Sequence, residues 1–183
     1  MKITLAGKHG AGKSTVGKIL AEKLGYNYFY TGGHMREMAE KRGLNLIELS
    51  RLANNDSSID KKIDDWQINI GKTQDNFILD AHLAFHFIPD SIKIFFEVDE
   101  NEGAKRILNE KNTLHRKKEA NFSDINSVIS NLKERKASEQ KRWKEMYGLN
   151  QDDHTNYDFI INTTNISAEE VANKIIEFIK SKN

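Results

Sequence analysis

The chain has 183 residues, no cysteine, and 28 Lys plus Arg against 27 Asp plus Glu, a formal net charge of +1. That length suits one domain around one core, since domains of roughly 100–200 residues are the norm. The charge balance excludes a long-range pull toward nucleic acid or a membrane surface, and the lack of cysteine excludes thiol catalysis, thiolate zinc sites and disulfides.

The opening MKITLAGKHG is far shorter than the ~18 apolar residues of a membrane span and lacks the layout of a signal peptide. A cytoplasmic protein is expected, a monomer without nucleic-acid or membrane partners. Lys2 to Ala6 reads as a strand that ends at Gly7, and Lys13 to Leu24 as a helix with Val16, Ile19, Leu20 and Leu24 at helical spacing. Between them Gly7-Lys8-His9-Gly10-Ala11-Gly12-Lys13-Ser14 satisfies G-x-x-x-x-G-K-[ST]. Such a loop points its backbone N–H groups and the positive helix end at phosphates. Gly7 to Thr15 are therefore the candidate ATP phosphate-binding residues, with Lys13 as the mobile catalytic cation and the Ser14 hydroxyl on Mg²⁺.

A second strand, Tyr26 to Tyr30, gives way at Thr31-Gly32-Gly33 to helices around Met35 to Ala39, Leu44 to Ala53 and Ser57 to Ile70. Arg36, early in the first of these, is placed to reach a second phosphoryl group. The run Phe77-Ile78-Leu79 reads as a buried third strand ending in Asp80. An acid there orders Mg²⁺ or its waters in many phosphate-loop proteins, a solvated strand-end acid being the alternative. His82 and His86 have i, i+4 spacing, but no Glu adjoins His82 and no third ligand is evident, so the spacing alone makes no metal site. Ile92 to Val98 and Asp158 to Asn162 complete five strands, and Ala168 to Lys180 closes the chain as a helix. Alternating strands and helices predict an α/β fold with a five-stranded parallel sheet flanked by helices. Residues 109–122 are polar and basic without apolar periodicity, a candidate lid in which Arg106 and Arg116 would cover ATP.

From Ser123 to Tyr147 the spacing predicts one long helix, with Ile125, Leu132 and Met146 on one heptad line and Val128, Ile129 and Trp143 beside it. Glu139 falls on that line, and Arg135 and Arg142 share its face. Two readings stay open: paired arginines that clasp a phosphate with the acid serving ribose hydroxyls, or a structural ion-pair triad.

With these residues assembled, the chain resembles nucleoside monophosphate kinases, most nearly short cytidylate kinases of the archaeal type. The marks are the phosphate loop, Thr31 to Arg36, the acid-rich Asp56 to Asp64, Asp80 with Ile88-Pro89-Asp90, Arg135, Glu139 and Arg142, Tyr147-Gly148 and Tyr157-Asp158 to Asn162-Thr163. The resemblance implies the phosphate-loop fold, one kinase domain over residues 1–183, an acceptor-binding region at 31–72, and transfer from ATP with Mg²⁺ to CMP or dCMP. It implies that Thr31 touches the acceptor base, that Arg36, Arg135 and Arg142 bind the acceptor, the latter two catalytically, and that Glu139 serves its ribose. His82 stands where such kinases usually carry an arginine that helps recognise CMP, which leaves AMP, UMP or a small metabolite open as the acceptor. A nucleotide-binding regulator without transfer activity is the reading from another class. A histidine at that position would be partly protonated near neutrality, so acceptor binding would weaken as pH rises.

Overall fold

The computed structural model describes residues 1–109 and 124–182. Strand β1, Lys2–Gly7, is buried over most of its length and lies at the centre of a parallel sheet in the order β2-β3-β1-β4-β5. Its neighbours are β3, Phe77–Asp80, and β4, Ile92–Glu97, with β2, Asn27–Tyr30, and β5, Phe159–Asn162, outside them. The register sets Leu5 opposite both Asp80 and Ile94, so the chain leaves β1 at Gly7 into a crevice walled by the ends of β3 and β4. Ligands of open parallel sheets sit in such a crevice, beyond the carboxyl ends of the strands.

The expected sheet flanked by helices is present, and its two faces bury different partners. On one face Val16 and Leu20 of α1, Lys13–Leu24, and Ile175 and Ile179 of α8, Ala168–Lys182, pack on Ile3, Leu5, Ile94 and Phe96. On the other, Phe77 and Leu79 meet Ile70 of α4, Ser58–Thr73, and Ala84 of the one-turn α5, Ala84–Phe87. Because successive strand residues face opposite ways, β3 needs apolar side chains at every position before Asp80. Helices α2, Thr31–Glu40, and α3, Leu46–Ala53, join α4 in a separate cluster of Ala39, Leu49, Ile59 and Ile63.

Three expectations change. Helix α5 and helix α6, Glu100–Asn109, are not among the expected elements, the first being one turn and the second a short helix whose apolar residues Ala104, Ile107 and Leu108 lie only in its second half. His82 precedes α5, so His82 and His86 share no helix and their spacing has no geometric meaning. Helix α7 spans Ile125–Tyr147, starting after a capping box in which Asp124 accepts from the Ser127 N–H. Its heptad line fails at the end: Met146 is exposed, because the last turn runs beyond the core that holds Trp143.

Candidate active site

The phosphate loop is shaped by contacts that only glycine permits. Gly7 has φ +133°, and a Cβ there would lie 2.2 Å from the Phe96 carbonyl oxygen; Gly10 has φ +76°, and its Cβ would lie 2.3 Å from the Gly103 carbonyl oxygen of α6. Lys8 N–H donates to Phe96 O at 2.9 Å, and the buried Thr163 hydroxyl donates to Ala11 O at 3.1 Å. The loop is thus clamped by β4, α6 and the segment after β5. Lys13 folds back and donates to Gly7 O and Lys8 O, each at 2.9 Å, so its ammonium lies over the loop. Gly12 leads into α1, where Ser14 and Thr15 occupy the first turn.

Asp80, 5% exposed, accepts from Ser14 Oγ at 2.9 Å and from the Tyr28 hydroxyl at 3.3 Å. Burial raises its pKa, against the opposing pull of Lys13, Ser14 and Tyr28. A hydroxyl and a carboxylate side by side are hard oxygen donors, the set that suits Mg²⁺. Tyr28 was not foreseen, since nothing in a four-residue edge strand marks it as reaching the acid of β3.

On the facing side, Glu139 of α7 is 3% exposed and lies against the phosphate loop: its Oε2 is 3.6 Å from His9 Nε2, while Oε1 accepts from Arg135 Nε at 2.8 Å. Burial, the largest influence, pushes the Glu139 carboxyl up, but Arg135, His9 and His82 together hold it well below its ordinary value. His82 meets this group from the segment after β3. Its ring stands 5.1 Å from that of His9, and its Nδ1 is 2.7 Å from Gln151 Oε1. Burial, reinforced by Lys13, drives its pKa well below 6.5, and burial likewise lowers His9. Partial protonation of His82 near neutral pH, expected from its ordinary pKa, is therefore disfavoured in the ligand-free protein.

Arg142 separates from this cluster. Its Nε donates to Asp60 Oδ2 at 2.8 Å, both side chains being 9% exposed, and Nη1 donates to Asn54 Oδ1 and Ser138 Oγ. Of the two readings open for the triad, the structural ion pair describes Arg142 in this structure, whereas Arg135 and Glu139 stay at the loop. Arg36 donates to the Tyr30 hydroxyl at 2.7 Å with its guanidinium 5.6 Å over the Tyr30 ring. Thr31 Oγ1 is buried without a hydrogen-bond partner, and nearby His34 stacks on Trp66 at 4.5 Å and 3°. This flat pair, absent from the sequence reading, forms from residues more than thirty positions apart and offers a π-surface. Arg106 is not a mobile flap: in α6 it is tied to Glu102, the Thr163 hydroxyl and carbonyl, and the Thr164 carbonyl. Arg116 and most of the expected lid, 109–122, lie outside the described residues.

Asp64 of α4 accepts a short hydrogen bond from the Tyr147 hydroxyl, and burial pushes its carboxyl up to about 6 despite that bond, with Asp60 and Asp65 adding to the rise. Native Asp64 keeps its proton where the unfolded chain, at its ordinary 3.8, has lost it. Its contribution to stability is present at low pH and declines as pH rises through about 6. Asp64→Asn, which stays neutral, is expected to gain Tm over the parent chain at about pH 7.5 and to lose nearly all of that advantage by about pH 3.5, the window set by linkage. Melting curves at both pH values check this, and an unchanged difference between them would contradict it.

The model of the "Cytidylate kinase-like family" matches residues 2–165. A cytidylate kinase of Sulfolobus acidocaldarius is 33% identical over 186 residues, covering 100% of this chain and 96% of that protein. An S-adenosylmethionine-dependent nucleotide dehydratase of Lacinutrix mariniflava is 32% identical over all of this chain but only 36% of its own length. The fold is similar to that of a shikimate kinase from Bacteroides thetaiotaomicron, with a TM-score of 0.66, 14% identity and 98% of both chains covered.

Proposed function

The chain belongs to the cytidylate kinase-like family and is a nucleoside monophosphate kinase, and from that premise we propose that it transfers the γ-phosphoryl group of ATP to CMP or dCMP. The observation that supports this most is the approach of Glu139 to the phosphate loop at His9, 3.6 Å, which sets the Arg135–Glu139 pair of α7 across from Lys13.

ATP phosphates would lie on the N–H groups of Gly7 to Thr15, with Lys13 exchanging its two carbonyl partners for phosphate oxygens. Ser14 and Asp80 would hold Mg²⁺, which when bound neutralises phosphate charge. The acceptor's own phosphate oxygen is the nucleophile. It forms the new P–O bond in line as the bond from the γ-phosphorus to the β-phosphate oxygen breaks, so no general base is required. Arg135 and Arg36 would grip the acceptor phosphate, Glu139 the ribose hydroxyls, and the His34–Trp66 stack with Thr31 would flank the base within the 31–72 region. Arg142 would serve indirectly, by holding α7 on α4 through Asp60. His82 is held toward its neutral form by desolvation, where a family arginine would be charged, so pyrimidine selectivity would rest more on shape and stacking.

An acceptor panel tests this, with ATP and CMP, dCMP, UMP, AMP and a non-nucleotide alcohol, read by diphosphate formation. CMP or dCMP is expected to give the highest kcat/KM; preference for AMP or UMP sinks the cytidylate reading, and ATP binding with no turnover of any acceptor would make the chain a regulator. Arg135→Ala is expected to raise the acceptor KM roughly thirtyfold, equivalent to about 2 kcal/mol for one lost charge partner, with a smaller effect on the ATP KM. Steady-state kinetics in both substrates decides it, and equal changes in the two KM values would remove Arg135 from the acceptor side.

A further inference from the structure

Among the described residues one group of three metal-ligating side chains stands out: His9, His82 and Glu139, each offering one ligand atom, all within 4.8 Å of one another. They converge from three elements, the phosphate loop, the segment after β3 and the middle of α7. We infer that these residues form a binding site for one zinc-class dication, separate from any metal held by Ser14 and Asp80.

Satisfaction of buried polar atoms argues for it first. His9 Nε2 and Glu139 Oε2 are buried and have no hydrogen-bond partner, and their 3.6 Å separation is too long for a bond between them. Two donors of a tetrahedral zinc site, with bonds of ~2.0–2.1 Å, stand about 3.3 Å apart, close to that spacing. The widest separation in the group closes to the same value by a side-chain movement of about 1.5 Å.

The groups behind the ligands agree. Gln151 Oε1 accepts from His82 Nδ1–H, which fixes the tautomer with the lone pair on Nε2, and Arg135 holds Oε1 of Glu139, leaving Oε2 for the metal. Gln151 is itself 2% exposed, so its amide is fixed. Two neutral imidazoles and one carboxylate form the donor set of an open, three-ligand zinc site, whereas Mg²⁺ favours all-oxygen ligands. The positive charges of Lys13 and Arg135 nearby weaken the site, and the Glu139 carboxylate offsets part of that. A bound metal would staple the phosphate loop to α7 and take up the Glu139 oxygen that would otherwise face the acceptor ribose, so the site belongs to the enzyme without acceptor.

The test uses the full chain, treated with chelator and free of nucleotide and Mg²⁺, titrated with Co²⁺ as the probe and then with Zn²⁺. One equivalent of Co²⁺ is expected to develop the strong visible absorption of a four- or five-coordinate site, to be displaced by Zn²⁺, and to raise Tm. His82→Gln and His9→Gln are each expected to weaken Co²⁺ affinity at least about tenfold, and Gln151→Ala by a comparable factor, as loss of an outer partner does. His9 lies on the loop, so its variant retains the fold if burial makes the His82 variant unstable. His154→Gln is expected to bind as the parent does; loss of binding in that variant alone would move the metal to the surface His154–Glu97 pair, 3.4 Å apart, and overturn the assignment. A Co²⁺ spectrum that stays that of the six-coordinate aqua ion, or equal affinity in the parent, His9→Gln and His82→Gln, overturns it as well.

Discussion

Replacement of Lys13 by alanine is expected to lower kcat by about a hundredfold to a thousandfold, the loss that follows removal of one preorganised electrostatic stabiliser. The fold should survive. Lys13 is half-buried, and its ammonium bonds two loop carbonyls that face solvent or ligand, so its removal costs those bonds at about 1 kcal/mol each rather than opening the core. What is lost is the cation over the site where γ-phosphate charge is redistributed, an interaction that strengthens as the bond to the leaving oxygen lengthens. Single-turnover rates beside melting curves separate the two effects. A folded Lys13→Ala enzyme with near-parental turnover would remove the phosphate loop from the chemistry.

Arg142→Ala is expected to act mainly on stability. The Arg142–Asp60 pair is 9% exposed on both sides, and removing the guanidinium leaves a carboxylate in a site that burial has already made unfavourable for charge. Breaking a buried pair from one side costs roughly 3–5 kcal/mol, a large share of a total stability of about 5–15 kcal/mol. For a chain of this length a Tm loss of roughly 6–20 °C follows, at about 2–4 °C per kcal/mol. The loss should shrink on acidification, because the raised pKa of Asp60 lets it take a proton and cease to need its partner. Arg142→Met with Asp60→Asn should regain most of the Tm. An Arg142→Ala enzyme with parental Tm and a raised acceptor KM would instead assign Arg142 to the acceptor.

The features legible in the sequence were those encoded by near neighbours. The glycine spacing of the phosphate loop is local, and it identified Gly7 to Ser14 because those φ angles and close approaches admit no side chain. The five strands were legible because each is a short apolar run bounded by polar residues. The Arg142 partner was not, because Asp60 is 82 positions away and sits on a helix whose surface reads as ordinary alternating charge. The burial of His82 was equally hidden: nothing in Asp80-Ala81-His82-Leu83 indicates that Trp143, His9 and Gln151 close over the ring. Helical periodicity ranked Glu139 and Met146 alike, yet one is buried against the phosphate loop and the other exposed, since periodicity gives a face and not where the neighbouring element ends. The roles of Tyr28 at Asp80 and Thr163 beneath Ala11 depend on strand order, which no local pattern specifies.

The approach of Gly10 to Gly103 has a thermodynamic consequence for the first binding event. Backbone set against backbone at Gly10 leaves the loop no room to collapse toward α6, and the bonds from Lys8 N–H to Phe96 O and from the Thr163 hydroxyl to Ala11 O hold it against the sheet edge. The cradle therefore exists before any nucleotide arrives, so the ordering entropy that a floppy loop would surrender on association is already absent from the binding free energy. Nucleotide capture should accordingly resemble docking onto a rigid mould, with a fast association rate set by diffusion and orientation and little dependence on a prior loop rearrangement.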